Sequence, residues 1–273
     1  MKQKRIAAIH DISGFGKCSL TVALPIISAA GIETSVIPTA VLSTHTGGIE
    51  GFTYRDLTDD MLPFAEHWKS LNINFDAIYT GFLGSFEQID IVSKIFDMIK
   101  NDDTLIVVDP CMADNGELYK IYNEKMALGM KDLCAKADII VPNITEATMM
   151  LNKEYIEGLL KELADLGPDV VVLTGVWFED DKLGAASYDK KTGEISYAFN
   201  KRVDGLYHGT GDVFASALLS AILNNFSISK SIQIAVDFTY NAILKTYMAG
   251  TDRRFGVNFE QSLPAFLKDL GLI

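Results

Sequence analysis

Thr104-Leu105-Ile106-Val107-Val108-Asp109-Pro110 is an apolar run that stops abruptly at a carboxylate, with a proline behind it to block a helical continuation. Its length and β-branched content make it a strand, and the lack of polar alternation makes it a strand buried on both faces. Working outward, similar short runs recur at 6–9, 34–38, 77–80, 138–141 and 170–174. Between them lie stretches of helical period at 21–30, 61–71, 86–100, 125–135 and 155–166. Strand-helix alternation of this kind predicts an α/β fold: three layers, α/β/α, around a mainly parallel central sheet. Segments 184–188 and 195–199, joined by Asp189-Lys190-Lys191-Thr192-Gly193, predict a hairpin at one sheet edge. Helical patterns at 211–223, 229–247 and 259–270 close the chain. No linker, repeat or low-complexity tract interrupts this order, so one domain over 1–273 is expected.

The polar residues fall where such a sheet would collect a ligand. Open parallel sheets bind beyond the carboxyl ends of their strands. Asp11, Thr80-Gly81, Asp109, Asn143 with Glu146, and Thr174-Gly175 each follow one of the expected strands.

His208-Gly209-Thr210-Gly211-Asp212 runs directly into the helical pattern of 211–223. Glycines before a helix leave N–H groups uncovered, and the helix start adds unpaired donors and a positive dipole end. Gly209, Thr210 and Gly211 therefore suit an anion such as phosphate. Asp212 would repel that anion unless it had another task, such as taking the proton of a hydroxyl that attacks phosphorus. The alternative is an ordinary acidic residue in a first helical turn.

Asp109, Asp114 and Glu146 supply oxygen donors of the type Mg²⁺ accepts together with water and substrate phosphates. Taken singly, Asp109 could cap a turn and Glu146 could be an N-terminal helix acid. Two other patterns fail. Gly14-Phe15-Gly16-Lys17-Cys18-Ser19 lacks the last glycine of a dinucleotide fingerprint and has no acidic ribose partner. The Gly16-Lys17 pair likewise fails as a P-loop, because Asp11 stands where its first Gly should be and Cys18 where its Ser or Thr should be. The four histidines lack zinc spacing; His45 and His208 flank the expected cleft, and His67 is expected on a helix surface.

Composition narrows the partners. With 48% hydrophobic and 22% charged residues in 273, the chain can build a substantial core. A net charge of −12 argues against general binding to nucleic acid or anionic membrane. The three cysteines, Cys18, Cys111 and Cys134, have no CxxC spacing, which points to reduced thiols and a cytoplasmic protein. The apolar run after Lys4-Arg5 is too short for a signal peptide or a membrane span.

Five segments together resemble the ribokinase-like superfamily, and within it the vitamin B6 (pyridoxal, pyridoxine and pyridoxamine) kinases. They are Ser43-Thr44-His45-Thr46-Gly47, Thr80-Gly81-Phe82-Leu83-Gly84-Ser85, Val108-Asp109-Pro110-Cys111-Met112-Ala113-Asp114, Ala137-Asp138-Ile139-Ile140-Val141-Pro142-Asn143 and Gly209-Thr210-Gly211-Asp212. The resemblance implies ATP-dependent phosphorylation of the 5′-hydroxymethyl group of a B6 vitamer. It implies Asp212 as general base and Gly209, Thr210 and Gly211 as anion hole. Asn143, Thr174, Gly175 and Val203 would lie along the nucleotide, with Val203 near adenine. Asp109, Asp114 and Glu146 would arrange Mg²⁺, directly or through water. Thr46 would meet the polar groups of the pyridine, Phe82 its face, and Tyr119 would belong to a flap over the site. A homodimer is implied by the same analogy, while a monovalent-ion requirement stays open.

Two positions depart from the pattern: Asp11 stands where many members have Ser, and Val141 where they have Thr. Asp11-Ile12-Ser13-Gly14 resembles the hydroxymethylpyrimidine kinases of thiamine synthesis, which leaves the ring open between pyridine and pyrimidine. Asp11 either faces the polar substituents of that ring or caps a Ser13-Gly14 turn. A non-catalytic vitamer or nucleotide binder is the reading from another class, and an intact Asp212 weighs against it.

Overall fold

A computed structural model describes residues 3–151 and 156–273. The parallel part of the sheet comprises β1 (Arg5–Phe15), β2 (Glu33–Thr44), β4 (Ala77–Thr80), β5 (Leu105–Val108), β8 (Ile139–Ile140) and β9 (Val170–Val176). Antiparallel strands finish both edges: β3 (Tyr54–Asp56) against β2, then β10 (Lys182–Asp189) and β11 (Ile195–Lys201) beyond β9. The sheet order among the described residues is β11-β10-β9-β8-β5-β4-β1-β2-β3. A separate two-stranded hairpin, β6 (Ala113–Asp114) with β7 (Glu117–Leu118), follows β5. The expected edge hairpin is present.

Helices α1 (Leu20–Ala29), α7 (Thr210–Leu223), α8 (Ile228–Ala249) and α9 (Leu263–Asp269) cover one face. There Ile6, Ala8 and Tyr79 of the sheet meet Val213, Ala217 and Leu218 of α7. Helices α2 (Thr58–Ser70), α3 (Phe86–Ile99), α4 (Glu124–Cys134), α5 (Ile144–Leu151) and α6 (Ile156–Asp165) cover the other. Their core includes Ile9, Ile78 and Val108 with Ile89, Val92 and Met130. Alternate residues of one strand thus feed opposite cores, which explains why the central strands carry few polar residues. The three-layer α/β/α architecture expected from the sequence is the observed one. His67 is exposed on α2, and no cysteine is in a disulfide.

The strand order reverses between β1 and β4, because the chain moves to β2 and β3 on one side and to β5 and beyond on the other. Such a switch point opens a crevice at the carboxyl ends of the two strands. Residues His10-Asp11 and Thr80-Gly81 stand there.

Some expectations need correction. Asp11 does not follow the first strand and does not cap a turn, since β1 continues to Phe15. The reason is that β2 is long enough to pair with it as far as Phe15 opposite Thr44, with a register shift in which Asp11, between His10 and Ile12, stands against Thr39 and Ala40 of β2. The 259–270 helix divides into a 3₁₀ turn, Phe259–Ser262, and α9. Pro264 favours a fresh helix start, having no N–H to give to a preceding turn. α5 was not among the expected helical segments, although a helix with Glu146 in its first turn was the alternative reading of that acid. Residue 155, where one helical pattern begins, lies outside the described residues.

Candidate active site

Asp212 lies in the first turn of α7, at the switch-point crevice. Gly209, just before that helix, has φ 74°, and a Cβ there would run into the Lys17 carbonyl oxygen. Only glycine fits both demands. The close approach brings the 16–19 loop against the start of α7, where the Ser19 N–H donates to Asp212 Oδ2 at 2.8 Å. Ser19 itself has φ 51°. Asp212 Oδ1 is buried and accepts no hydrogen bond among the described residues. Burial pushes the carboxyl up to about 7; the Ser19 N–H works against this and the negative charge of Asp11 adds to it. A carboxylate titrating near neutrality, with spare acceptor capacity and a helix N-terminus around it, suits proton abstraction beside an anion.

A second acidic group stands across the crevice at the ends of β5 and β8. Asp109 is pushed well above the usual carboxylate range by burial, then by the charges of Glu146 and Asp212, while the Cys111 N–H lowers it. Glu146 is saturated with donors. Its Oε1 accepts from Met112 N at 2.8 Å and from Ala113 N at 3.4 Å, and its Oε2 accepts from Asn143 N at 2.8 Å. Asn143 Oδ1 in return accepts from Glu146 N at 2.9 Å, which closes a reciprocal capping box at the start of α5. Burial pushes Glu146 up to about 7 in spite of those three N–H groups. Among the described residues, no three His, Cys, Asp or Glu side chains gather as ligands for one ion.

The flap is the β6–β7 hairpin. Asn115-Gly116 turns it with φ 50° and 84°, as an Asn-Gly pair favours. Asp114 is exposed there, and accepts from its neighbour Asn115 through N at 2.8 Å and Nδ2 at 3.0 Å. Asn143 Nδ2 donates to Ala113 O at 2.8 Å, so α5 anchors the base of the hairpin. Tyr119 leaves the flap half-buried with its ring edge-on to Tyr122 at 6.4 Å, and Phe82 lies 6.3 Å from Tyr122 on the other side.

Asp11 stands at the opposite wall. It is 3% exposed, and Ser13 Oγ donates to its Oδ2 at 3.0 Å. Burial raises its pKa, while hydrogen bonds from Ser19 and Ser13 lower it. His45 is locked nearby: Gly47 N donates to its Nδ1 at 3.1 Å, and its Nε2 donates to Arg254 O. Both ring nitrogens are therefore used by the neutral form. The His208 ring lies 5.2 Å from it.

The structure thus brings Asp11, Asp109, Glu146 and Asp212 into one electrostatic cluster. Asn143 and Thr174 share a bridge at the ends of β8 and β9, with Gly175 next at φ 74°. Thr46 and Val203 stay on loops outside that cluster, exposed and half-buried respectively. Ser19 was missed, because its positive φ leaves no mark in the sequence. The Asn143-Ile144-Thr145-Glu146 box was missed too, although its spacing signals a helix start.

The profile of the phosphomethylpyrimidine kinase family matches residues 24–256. A Bacteroides thetaiotaomicron protein assigned to phosphomethylpyrimidine kinases, crystallised with pyridoxal, is 38% identical with a TM-score of 0.92. The match covers 97% of this chain and 96% of that one. Pyridoxal kinase from Lactobacillus plantarum is 28% identical with a TM-score of 0.89, covering 98% of each chain. Pyridoxal kinase from Sus scrofa is 26% identical over 235 residues, 77% of this chain and 72% of its own length.

Proposed function

The chain belongs to the phosphomethylpyrimidine kinase family, and we propose that within it the chain transfers the γ-phosphoryl group of ATP to the 5′-hydroxymethyl group of a B6 vitamer. The observation that carries the chemistry is Asp212: a buried carboxylate titrating near 7, with one hydrogen bond on it, at a helix start opened by Gly209. Asp212 takes the proton of the hydroxymethyl group as its oxygen attacks the γ-phosphorus, while the bond from that phosphorus to the bridging oxygen breaks and ADP leaves. The N–H groups of Gly209, Thr210 and Gly211 hold the transferring phosphoryl, where helix-start donors stabilise its charge. Asn143, Thr174, Gly175 and Val203 line the path of the nucleotide.

The donor set fits Mg²⁺. Asp109 and Glu146 are oxygen donors only, and their mutual repulsion in a buried place calls for a cation. Asp109 is the direct candidate, whereas Glu146, with both oxygens committed, acts through water, and Asp114 waits on the exposed flap. The ion would neutralise charge on the ATP phosphates.

For the ring, Phe82 and Tyr119 offer aromatic faces, and Asp11 and Thr46 offer polar groups to its substituents. The pyridoxal in the crystals of the 38% identical relative supports a B6 vitamer. The alternative is hydroxymethylpyrimidine or its phosphate, supported by the family description and by the Asp11 carboxylate, which suits an amino donor on a ring. A homodimer and a cytoplasmic location belong to the same reading. Among the described residues, no helix is long and apolar enough to cross a membrane.

The deciding experiment supplies MgATP with pyridoxal, pyridoxamine, pyridoxine and hydroxymethylpyrimidine in parallel, following ADP and the phosphorylated product. Turnover of the vitamers to 5′-phosphates is expected. Turnover of the pyrimidine alone would transfer the reading to the alternative.

A further inference from the structure

Behind the base, on the sheet face that α7 covers, lies a set of buried polar side chains that phosphoryl transfer does not itself require. Tyr79 of β4 is fully buried, and its ring meets the His10 imidazole edge-on with centroids 4.5 Å apart. His10 is fixed in turn against Gly81, where a Cβ would lie 2.5 Å from the imidazole. Burial drives His10 down to about 3, so it is neutral and carries no charge to the site. Tyr79 stands beside Ala8 of β1 and Val107 of β5, facing α7. Ser216 follows Asp212 by four residues, which puts both on one face of that helix.

The Tyr79 hydroxyl lies beside Ser216 and within electrostatic reach of Asp212 and Asp109. Three buried atoms on this side of the sheet make no hydrogen bond among the described residues: Tyr79 Oη, Ser216 Oγ and Asp212 Oδ1. A phenol in an apolar layer is expensive unless its hydroxyl has a partner, and phenylalanine would fill the same space without that cost. The buried Asp212 oxygen lacks a donor, and the Tyr79 hydroxyl proton lacks an acceptor.

We propose that Tyr79, together with Ser216, is a positioning residue for the base, its hydroxyl serving the inner face of the Asp212 carboxylate opposite the Ser19 N–H. The donors on two sides fix the plane of the carboxylate and favour its ionised form. The titratable groups that face Asp212 from the other elements are Asp11 of β1 and Asp109 at the end of β5, whose negative charges oppose its ionisation, and the Cys111 thiol, which burial keeps neutral. The Cys18 thiol precedes α1 on the same side. Tyr79 is the donor that β4 adds against them.

The inference rests on Asp212 being the base. The test measures kcat against pH at saturating MgATP and vitamer in Tyr79→Phe, Ser216→Ala and the double variant, with Asp212→Asn as reference. In Tyr79→Phe, kcat at pH 7 should fall roughly threefold to tenfold, and the acidic limb should move up by about half a unit to one unit. KM for ATP should stay constant, and the double variant should lose no more than the worse single one. An acidic limb that stays in place in Tyr79→Phe overturns the inference, whatever happens to kcat, because a loss of packing would not discriminate between protonation states. If Asp212→Asn keeps its turnover, the base assignment fails instead, and the two failures are told apart.

Discussion

Asp212 and Glu146 are both buried carboxyl groups at helix starts, and burial pushes both up to about 7. Their hydrogen bonds separate them. Asp212 accepts one N–H and keeps an unpaired oxygen, whereas Glu146 accepts three N–H groups and ties together α5, the end of β8 and the base of the flap. A raised pKa therefore marks both, but only the carboxylate with spare acceptor capacity can take a proton from a substrate. The count of donors around an acid says more about its task than the size of its shift.

The comparison breaks most visibly in turnover. Asp212→Asn keeps the side-chain size and the bond to Ser19 but cannot accept the proton, so kcat should fall roughly 10²–10⁴-fold with ATP affinity nearly unchanged. Initial rates and nucleotide binding on the purified variant check this. Retention of kcat within a few-fold would make Asp212 a structural acid like Glu146.

Glu146→Gln should break something else. The amide has one acceptor oxygen and turns an NH₂ toward a backbone N–H, leaving a buried donor unmatched at a cost of about 1–3 kcal/mol. Thermal unfolding should show that loss. Asp109→Asn should instead raise the Mg²⁺ concentration needed for half-maximal rate, read by titrating Mg²⁺ at fixed ATP. Equal Mg²⁺ curves for Asp109→Asn and wild type would remove Asp109 from the metal shell.

Stability against pH sharpens the contrast further. Both acids have folded pKa values above their unfolded ones. The stability they contribute is complete below the unfolded carboxylate range and is lost as pH rises through about 7. Asp212→Asn escapes that loss, so its Tm should exceed the wild-type value at pH 8 by roughly 3–8 °C. At pH 3, below the unfolded carboxylate range, where Asp212 is protonated in both states, the gain should vanish. Melting curves at the two pH values decide it.

The smallest effect concerns the ring. Asp11→Ser replaces a charged acceptor by a hydroxyl, and should shift kcat/KM a few-fold from amino-bearing substrates toward pyridoxal. Unchanged ratios across the three vitamers and the pyrimidine would confine Asp11 to its bond with Ser13.

The layered fold was legible because its central strands are nearly pure apolar runs, and Asp212 was legible because two glycines precede it. What the sequence concealed depends on long-range pairing. Asp11 falls within a strand only because β2 is long enough to carry β1 to Phe15. Ser19 contacts the base only because Gly209 lets the Lys17 carbonyl approach. Tyr79 and His10 looked like any strand residues, and their place under the base follows from the order of β1, β4 and β5 beneath α7. Glu146 was seen as a metal acid; its capping box was readable in the spacing, but its bonds to Met112 and Ala113 were not.

The central claim is that the proton leaves the substrate through Asp212 and not through the second acid. Its most direct test is the pH dependence of kcat, at saturating MgATP and pyridoxal, in wild type and in Glu146→Gln. The account predicts an acidic limb with its midpoint near 7 in both proteins, because the group that titrates is Asp212. Full activity persisting to pH 5 in the wild type, or a limb that disappears in Glu146→Gln, would contradict it.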